Sequence, residues 1–211
     1  MDSKELALFI TDSIGLPRSR GKDKVSLDET YIHLTKAKRP DLEIIHIGVP
    51  AGTITELHRV AEYYQSSAPK YVVLQVGIVD CAPRALGIFE FEIIKRFHVY
   101  RVIKPFARLL RKYRYICYTK PAKFEETLIQ LKGLFEESIF IASGILPSCR
   151  EYEQAVPSVT SRIEEFNSII QRHTVFIDNR SFPRDGIADD FHHLNVHGNQ
   201  LLADKILVHL E

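Results

Sequence analysis

Short apolar runs along the chain alternate with segments whose apolar residues recur every three or four positions. Five of these runs are rich in Ile, Val and Phe, and they lack the strict alternation that a half-exposed strand shows. Each run therefore predicts a strand that is covered on both faces. The predicted strands are Leu6–Ile10, Glu43–Ile47, Tyr71–Val76, Ser138–Ile141 and Thr174–Ile177.

Helical spacing marks the segments that lie between and after these runs. The predicted helices are Thr55–Gln65, Phe124–Phe135, Val159–Ile170 and Val196–Leu210. Strands that alternate with helices form βαβ units with right-handed crossovers, which build a parallel sheet. We therefore predict an α/β fold, a flavodoxin-like three-layer α/β/α sandwich around a mainly parallel sheet of about five strands.

The composition is that of a globular protein without a charge bias. The 211 residues are 45% hydrophobic and carry a formal net charge of +1, so we expect one domain over residues 1–211 and no general attraction to nucleic acid. Three widely spaced cysteines favour reduced thiols and a cytoplasmic location. The sequence predicts neither a signal peptide at its start nor an apolar segment of the roughly 20 residues that span a bilayer.

Chemically useful residues collect after the predicted strands, where open parallel sheets bind their ligands. The first strand ends in TDSIG, the second in HIGVPAGT and the third in QVGIVDCAPR, and DDFHHLN precedes the last helix. A serine hydroxyl needs a base within hydrogen-bond reach, and that base needs an orienting carboxylate. Asp190 and His193 have a suitable spacing for Ser13, and so do Asp189 and His192. The alternative role for Ser13 is that of a helix N-cap.

These segments resemble, in type and order, the sequence blocks of the SGNH (GDSL-type) hydrolases. The resemblance covers nearly the whole chain and implies the SGNH fold and ester hydrolysis without a metal or organic cofactor. TDSIG resembles the first block, with Ser13 as nucleophile, and AGT resembles the second, in which the Gly52 N–H binds the oxyanion. DDFHHLN resembles the last block, in which we choose Asp190 and His193 because Leu194 and Asn195 follow.

Two residues depart from the family pattern. Thr11 stands where the family usually has glycine, and Val79, in GIVD, stands where it usually has an oxyanion-binding asparagine. Loss of one such donor costs about 2.7–4 kcal/mol in a model serine hydrolase. The backbone N–H groups of Ser13, Gly52 and Gly77 are the candidate donors that remain, and Gln75 and Arg84 are the nearest side chains that could substitute.

The candidate substrate-binding residues are Asp12, Val79, Asp80, Arg84 and His192. For the two aspartates we favour a structural role, in which the carboxylates hold loop amides. Arg84 is suited either to clamp a carboxylate or phosphate of the substrate or to form a salt bridge.

Neither a metal site nor a thiol nucleophile is the favoured interpretation. The histidines of the last block lack the glutamate of a zinc-protease helix, so we predict no bound metal. Cys81 follows a strand, as a nucleophile would, but a buried small side chain is the favoured reading.

A basic insertion is predicted around residues 90–115. Ile93–Arg114 contains eight Lys or Arg residues and no acidic residue, and Pro105 prevents one continuous helix. The stretch is suited to an anionic inner-membrane surface or an acidic glycan, and RNA or simple solvation of a basic helix face are the alternatives. The candidate contacts are Lys95, Arg96, Arg101, Lys104, Arg108 and Arg111.

Three functions remain open on the sequence. The first is a serine esterase that removes O-acetyl or other short acyl groups from a carbohydrate. The expectation of a carbohydrate substrate comes from the segments DSIGLPR and GIVDCAPR. They resemble segments in a subset of SGNH-like proteins linked to bacterial surface-polysaccharide gene sets. The second is an O-acetyltransferase that uses the same triad. The third is a non-catalytic glycan- or membrane-binding module.

Overall fold

A five-stranded, fully parallel sheet forms the centre of the protein. The computed structural model describes residues 4–87, 90, 93–94, 96, 104–114 and 116–211. The strand order is β2-β1-β3-β4-β5, and each strand overlaps a predicted one, which confirms the α/β prediction. The strands are β1 (Glu5–Thr11), β2 (Leu42–Gly48), β3 (Tyr71–Gln75), β4 (Ile139–Ser143) and β5 (Val175–Ile177).

Helices cover both faces of this sheet and complete a three-layer α/β/α sandwich. Helix α1 packs against α8, whereas α5 packs against α2 and α7. The helices are α1 (Tyr31–Lys38), α2 (Ile54–Ala61), α3 (Ile78–Cys81), α4 (Ala107–Arg114), α5 (Pro121–Gly133), α6 (Arg150–Ala155), α7 (Val159–His173) and α8 (Val196–Leu207). Every residue of β3 is buried, as expected for a strand covered on both sides.

Helix α1 was not among the predicted helices, and the structure shows why. Its buried face includes Thr35, whose hydroxyl donates to the Tyr31 carbonyl at 2.7 Å. A polar residue therefore occupies a core-facing position, and the helical spacing of apolar residues is lost from the sequence. The predicted Thr55–Gln65 helix is present as α2 followed by a 3-10 helix, Glu62–Ser67.

The strand order places a crevice beside the carboxyl end of β1. The chain moves from β1 to β2 in one direction across the sheet and then returns past β1 to β3. Loops after β1 and β3 therefore diverge, and in doubly wound sheets ligands bind where they do so.

Much of the predicted basic insertion lies outside the described residues, including Lys95 and Arg101. Its described helical part is α4, which follows the 3-10 helix Lys104–Phe106. Among the described residues, no helix combines the length and the apolar character needed to cross a membrane.

Candidate active site

Ser13 begins a short 3-10 helix, Ser13–Gly15, directly beyond β1. The N-cap of that helix is Asp12, whose Oδ1 accepts the N–H of Ile14 at 2.8 Å. The sequence left open whether Ser13 itself serves as the cap. Because Asp12 caps the helix, the half-buried hydroxyl of Ser13 is free to face the crevice.

A loop before α8 holds His193 against Ser13. The loop is fixed at both ends: Ala188 N donates to His193 O at 2.8 Å, and the Asn195 side chain caps α8 by accepting the Gly198 N–H at 2.9 Å. Between these points Phe191 adopts a φ of 72°, a left-handed turn that sequence reasoning could not foresee.

Ser13, His193 and Asp190 form a continuous chain of hydrogen bonds. His193 Nε2 lies 3.0 Å from Ser13 Oγ, and His193 Nδ1 lies 2.7 Å from Asp190 Oδ2. The other oxygen of Asp190 accepts the backbone N–H of His193 at 3.1 Å. A carboxylate facing Nδ1 favours the tautomer that carries the proton there, so Nε2 is left as the acceptor for the serine proton.

The pKa of Asp190 stays below its ordinary value. Burial alone raises this pKa, but the hydrogen bond from His193 and the charges of His192 and His193 outweigh burial. Arg18 Nη2 also lies 3.1 Å from Asp190 Oδ2. The carboxylate is therefore ionised at neutral pH and can stabilise a protonated imidazole.

The neighbouring Asp189 and His192 have the same spacing but different partners. Asp189 accepts from Arg18 Nη2 at 2.7 Å and from the Lys22 N–H at 3.3 Å. His192 Nδ1 lies 2.8 Å from the backbone oxygen of Asp190. Of the two spacings that the sequence offered, the structure places Asp190 and His193 in line with Ser13.

A pocket of about 310 Å³ opens above Ser13. Aromatic rings shape one wall, where Tyr152 and His192 stack at 5.9 Å between ring centroids. Burial is the largest influence on His192 and lowers its pKa. The lining residues are Ser13, Ala51, Ile78, Val79, Ala82, Arg84, Tyr118, Tyr152, His192 and His193.

The fold of this chain is similar to the folds of several solved structures over almost the whole chain. A lipase/acylhydrolase from Enterococcus faecalis is 17% identical with a TM-score of 0.69, over 98% of this chain and 95% of that chain. An acetyl xylan esterase, AlAXEase, is 20% identical with a TM-score of 0.65, over 98% and 100%. A putative lipolytic protein of the G-D-S-L family from Desulfitobacterium hafniense is 13% identical with a TM-score of 0.64, over 98% and 100%.

The chain has the SGNH-hydrolase fold. This confirms the fold that the motif resemblance implied. No protein-family model matches the chain, and a search of curated proteins finds no significant match.

In this SGNH fold the second block is arranged differently from our prediction. Gly52 donates its N–H to Val49 O at 3.0 Å, so the prediction of a free Gly52 N–H is wrong. Ala51, one residue earlier, lines the pocket and has a φ of 54°. Among the described residues its N–H has no hydrogen-bond acceptor. The positive φ of Ala51 is the feature that reading the sequence missed.

Gly77 lies beside the pocket without lining it. Its φ is 123°, and an added Cβ would lie 2.6 Å from Ile145 Cδ1. Glycine is required here by backbone conformation and by packing, so its role in the structure is conformational.

Asp12 and Asp80 do not line the pocket, which contradicts their assignment as substrate-binding residues. Their carboxylates accept backbone N–H groups, which agrees with the structural role that we favoured. Both are fully buried. Asp80 accepts the Ile54 N–H at 3.1 Å and the hydroxyl of Thr119, which fixes the start of α2. Burial raises the pKa of Asp12 to about 7 and that of Asp80 to about 6.

Val79, Arg84 and His192 line the pocket, and their contact with a substrate stays a prediction. The Arg84 guanidinium stacks on Tyr118, with Cζ 4.4 Å from the ring centroid. Its Nη2 donates to Val79 O at 3.0 Å. Within the described part of the chain, no carboxylate forms a salt bridge with Arg84.

Thr11, the departure in the first block, is buried within the sheet. Its Oγ1 lies 2.8 Å from His46 Nε2 on β2. Burial lowers the pKa of His46 to about 4, so this ring is neutral at physiological pH. The threonine therefore serves a buried polar pair between adjacent strands.

Cys81 and the group formed by Asp190, His192 and His193 bear on two alternative chemistries, a thiol nucleophile and a metal site. Cys81 is fully buried, and burial raises the pKa of its thiol, so it is protonated and inaccessible as a nucleophile. Asp190, His192 and His193 bring their ligand atoms within 4.8 Å of one another. His192 Nδ1 faces the backbone oxygen of Asp190, and His193 Nδ1 faces its carboxylate. Hydrogen bonds therefore explain why these three residues lie close together.

A second opening, here called the adjoining groove, shares one lining residue, Tyr118, with the pocket. It has a volume of about 480 Å³. Its residues are Thr53, Thr55, Glu56, Tyr118, Thr119, Lys120 and Lys123.

Proposed function

We propose that the protein is a serine esterase that removes short acyl groups, O-acetyl above all, from a carbohydrate. The observation that carries the proposal is the hydrogen-bonded chain from Ser13 Oγ through His193 to Asp190 at the mouth of a pocket. Structural neighbours whose names describe lipases and esterases support ester hydrolysis.

In the acylation step, His193 Nε2 takes the proton of Ser13 while Oγ attacks the ester carbonyl. Asp190 stabilises the resulting imidazolium. The N–H groups of Ser13 and Ala51 are the backbone donors we assign to the oxyanion, since Gly52 is occupied. His193 then returns the proton to the departing alcohol oxygen, which leaves an acyl-serine.

Water completes the reaction. His193 removes a proton from a water molecule that attacks the acyl carbonyl. The tetrahedral intermediate then collapses to the free acid while His193 returns that proton to Ser13 Oγ. Every proton is moved by one imidazole.

The pocket size favours a short acyl group. Its volume of about 310 Å³ is at the lower end of the range for small-molecule sites, about 300–1,000 Å³. The adjoining groove presents hydroxyl, amine, aromatic and carboxylate side chains, which suit a sugar. The name of one neighbour, acetyl xylan esterase, describes an acetylated carbohydrate as that protein's substrate.

A fluorophosphonate probe tests the nucleophile. We expect mass spectrometry to find one adduct on Ser13, and Ser13→Ala to abolish it. Ser161→Ala is the matched control because Ser161 is an exposed serine on α7. Absence of an adduct on folded protein would refute the esterase and favour a binding module, for which Val79 is the motivating departure.

An O-acetyltransferase would use the same residues and pass the acyl group to a second sugar. The adjoining groove is the observation that favours this alternative, since it offers room beside the pocket for an acceptor. Acetate release would then fall, and acetylated sugar would appear, when a sugar acceptor is added.

We also propose that helix α4 docks on an anionic membrane surface. Leu109 and Tyr113 are 55% and 67% exposed, and their spacing places them on one face of α4. Phe106, directly before α4, is 57% exposed. Arg108 and Lys112 are exposed beside them. Arg111 donates to Ala155 O at 3.0 Å, which joins α4 to α6, the helix that carries Tyr152 of the pocket wall.

Sedimentation with phosphatidylglycerol vesicles tests the docking surface. Each basic residue near such a surface contributes about 1 kcal/mol, so Arg108→Glu with Lys112→Glu should weaken binding by at least roughly tenfold. Arg59→Glu with Lys36→Glu makes the same change of net charge at exposed positions elsewhere. Equal binding by both double variants would contradict the proposal.

A further inference from the structure

The pocket above Ser13 contains one permanently charged side chain, Arg84. Its other lining residues are apolar, hydroxyl-bearing or imidazole side chains, and none is acidic. An ionised group in a pocket wall loses hydration, which is costly unless charge or hydrogen bonds replace the lost water. The contacts of Arg84 therefore show how far the protein itself compensates this charge.

The compensation for Arg84 is incomplete. The face of Tyr118 lies against the guanidinium, and Val79 O accepts one hydrogen bond from Nη2. Nε is buried and has no hydrogen-bond partner among the described residues. In that part of the chain no carboxylate lies within 4.0 Å of the group, whereas Arg18, Arg114 and Arg180 all have one.

Arg84 lines the pocket above Ser13 together with Val79 and Tyr152. A planar guanidinium held by an aromatic ring and a carbonyl is preorganised to bind a carboxylate or a phosphate. The neighbouring rings of Tyr118 and Tyr152 leave the anion partly shielded from water, which strengthens such a contact.

We infer that Arg84 is a specificity-determining residue that binds an anionic group of the substrate, a carboxylate or a phosphate, while the ester lies at Ser13. This inference rests on the proposed esterase activity and narrows its substrate class to acylated molecules that carry a negative charge. An acidic sugar unit has that chemistry. The adjoining groove carries Lys120 and Lys123 against one acidic residue, Glu56, whose carboxylate accepts the Thr53 N–H at 2.8 Å.

Three aryl acetates with one scaffold test the inference. They are 4-acetoxybenzoate, 4-acetoxyphenyl phosphate and the neutral methyl 4-acetoxybenzoate. The measured quantity is kcat/KM for each anionic ester divided by kcat/KM for the neutral one. The two anionic esters distinguish a carboxylate site from a phosphate site.

Removing Arg84 should change this ratio strongly. We expect Arg84→Gln to lower it about 10- to 100-fold, as for loss of a hydrogen bond to a charged group. Arg84→Lys, which keeps the charge but not the fork, should retain part of the preference. Arg59→Gln, an exposed arginine on α2, should leave the ratio unchanged.

The outcomes separate this inference from the proposed function. If Arg84→Gln slows all three esters equally, the ratio is unchanged, Arg84 acts on the oxyanion and the inference is overturned. If Arg84→Gln changes neither the rates nor the ratio, the esterase stands and the anion site does not.

If no ester is hydrolysed, the proposed function fails and equilibrium binding decides the anion site. Calorimetry with Ser13→Ala protein and intact 4-acetoxybenzoate should show binding that the added Arg84→Gln substitution weakens. Equal affinity in the two proteins would overturn the inference. Circular dichroism confirms in every case that the variants are folded.

Discussion

Asp190→Asn tests whether hydrogen bonding along Asp190, His193 and Ser13 controls the chemistry. Asp190 Oδ1 accepts the backbone N–H of His193 at 3.1 Å, and Oδ2 faces Nδ1 at 2.7 Å. An asparagine that keeps the backbone contact turns its NH₂ group towards Nδ1. That nitrogen must then accept a hydrogen bond, so the ring proton moves to Nε2, which can no longer accept the proton of Ser13.

The size of the loss follows from the contacts of the carboxylate. The equivalent change in a serine protease lowers kcat about 10⁴-fold. Here Arg18 lies 3.1 Å from Asp190 Oδ2 and already offsets part of its charge. We therefore expect a loss of about 10³- to 10⁴-fold, or about 4–5.5 kcal/mol of transition-state stabilisation.

Hydrolysis of 4-nitrophenyl acetate near neutral pH measures this loss, and circular dichroism checks the fold. Asp189→Asn is the matched control, because Asp189 contacts Arg18 and Lys22 instead of His193. We expect the control to retain most of the activity. Retention of activity within about tenfold by Asp190→Asn, or an equal loss in Asp189→Asn, would refute the assignment of the tautomer to Asp190.

Three further predictions concern residues around the pocket. Burial raises the pKa of Asp12 from 3.8 to about 7. Between these two pH values the folded protein keeps a proton on Asp12 that the unfolded chain releases, so the contribution of Asp12 to stability falls as the pH rises. Asp12→Asn should therefore raise the free energy of unfolding in urea by about 1–4 kcal/mol near pH 8 and by less near pH 4, and a gain independent of pH would contradict this. Gly77→Ala should lower the free energy of unfolding by about 1–3 kcal/mol, because Gly77 has a positive φ and an added Cβ would collide with Ile145. Gly133→Ala is the control and should not lower stability, since the space around Gly133 is open. Similar melting temperatures for the two variants would show the reasoning to be wrong. Val79→Asn places an amide donor in the pocket wall and should raise kcat for an acetyl ester by up to about 10²-fold relative to Val79→Ala. A steep fall of kcat in a folded Val79→Asn variant would mean that a neighbouring group already uses the space.

The sequence predicted the sheet well because its strands are buried on both faces and need continuous apolar residues. Helix α1 escaped because Thr35 takes a core position. Chemistry and spacing offered two Asp–His pairs for Ser13, and the resemblance to the SGNH blocks selected Asp190 and His193. The structure brings these two side chains together with Ser13.

The parts of the site that the sequence did not predict depend on backbone conformation and on long-range folding. Ala51 rather than Gly52 faces the pocket because alanine adopts a positive φ there, which no propensity favours. Tyr118 and Tyr152 come from segments with no motif, and only the packing of their segments brings them to the pocket.

The loop that carries the His193 imidazole is held by α8, whose Asn199 accepts the N–H of Tyr31 on α1 at 2.9 Å. Ser13 and His193 are 180 positions apart in the sequence. During synthesis the serine therefore leaves the ribosome long before its base does. A nascent chain can complete its central strands while it remains chemically inert. The onset of hydrolysis would then report the moment at which α8 docks, which makes turnover a convenient probe of the last stage of folding.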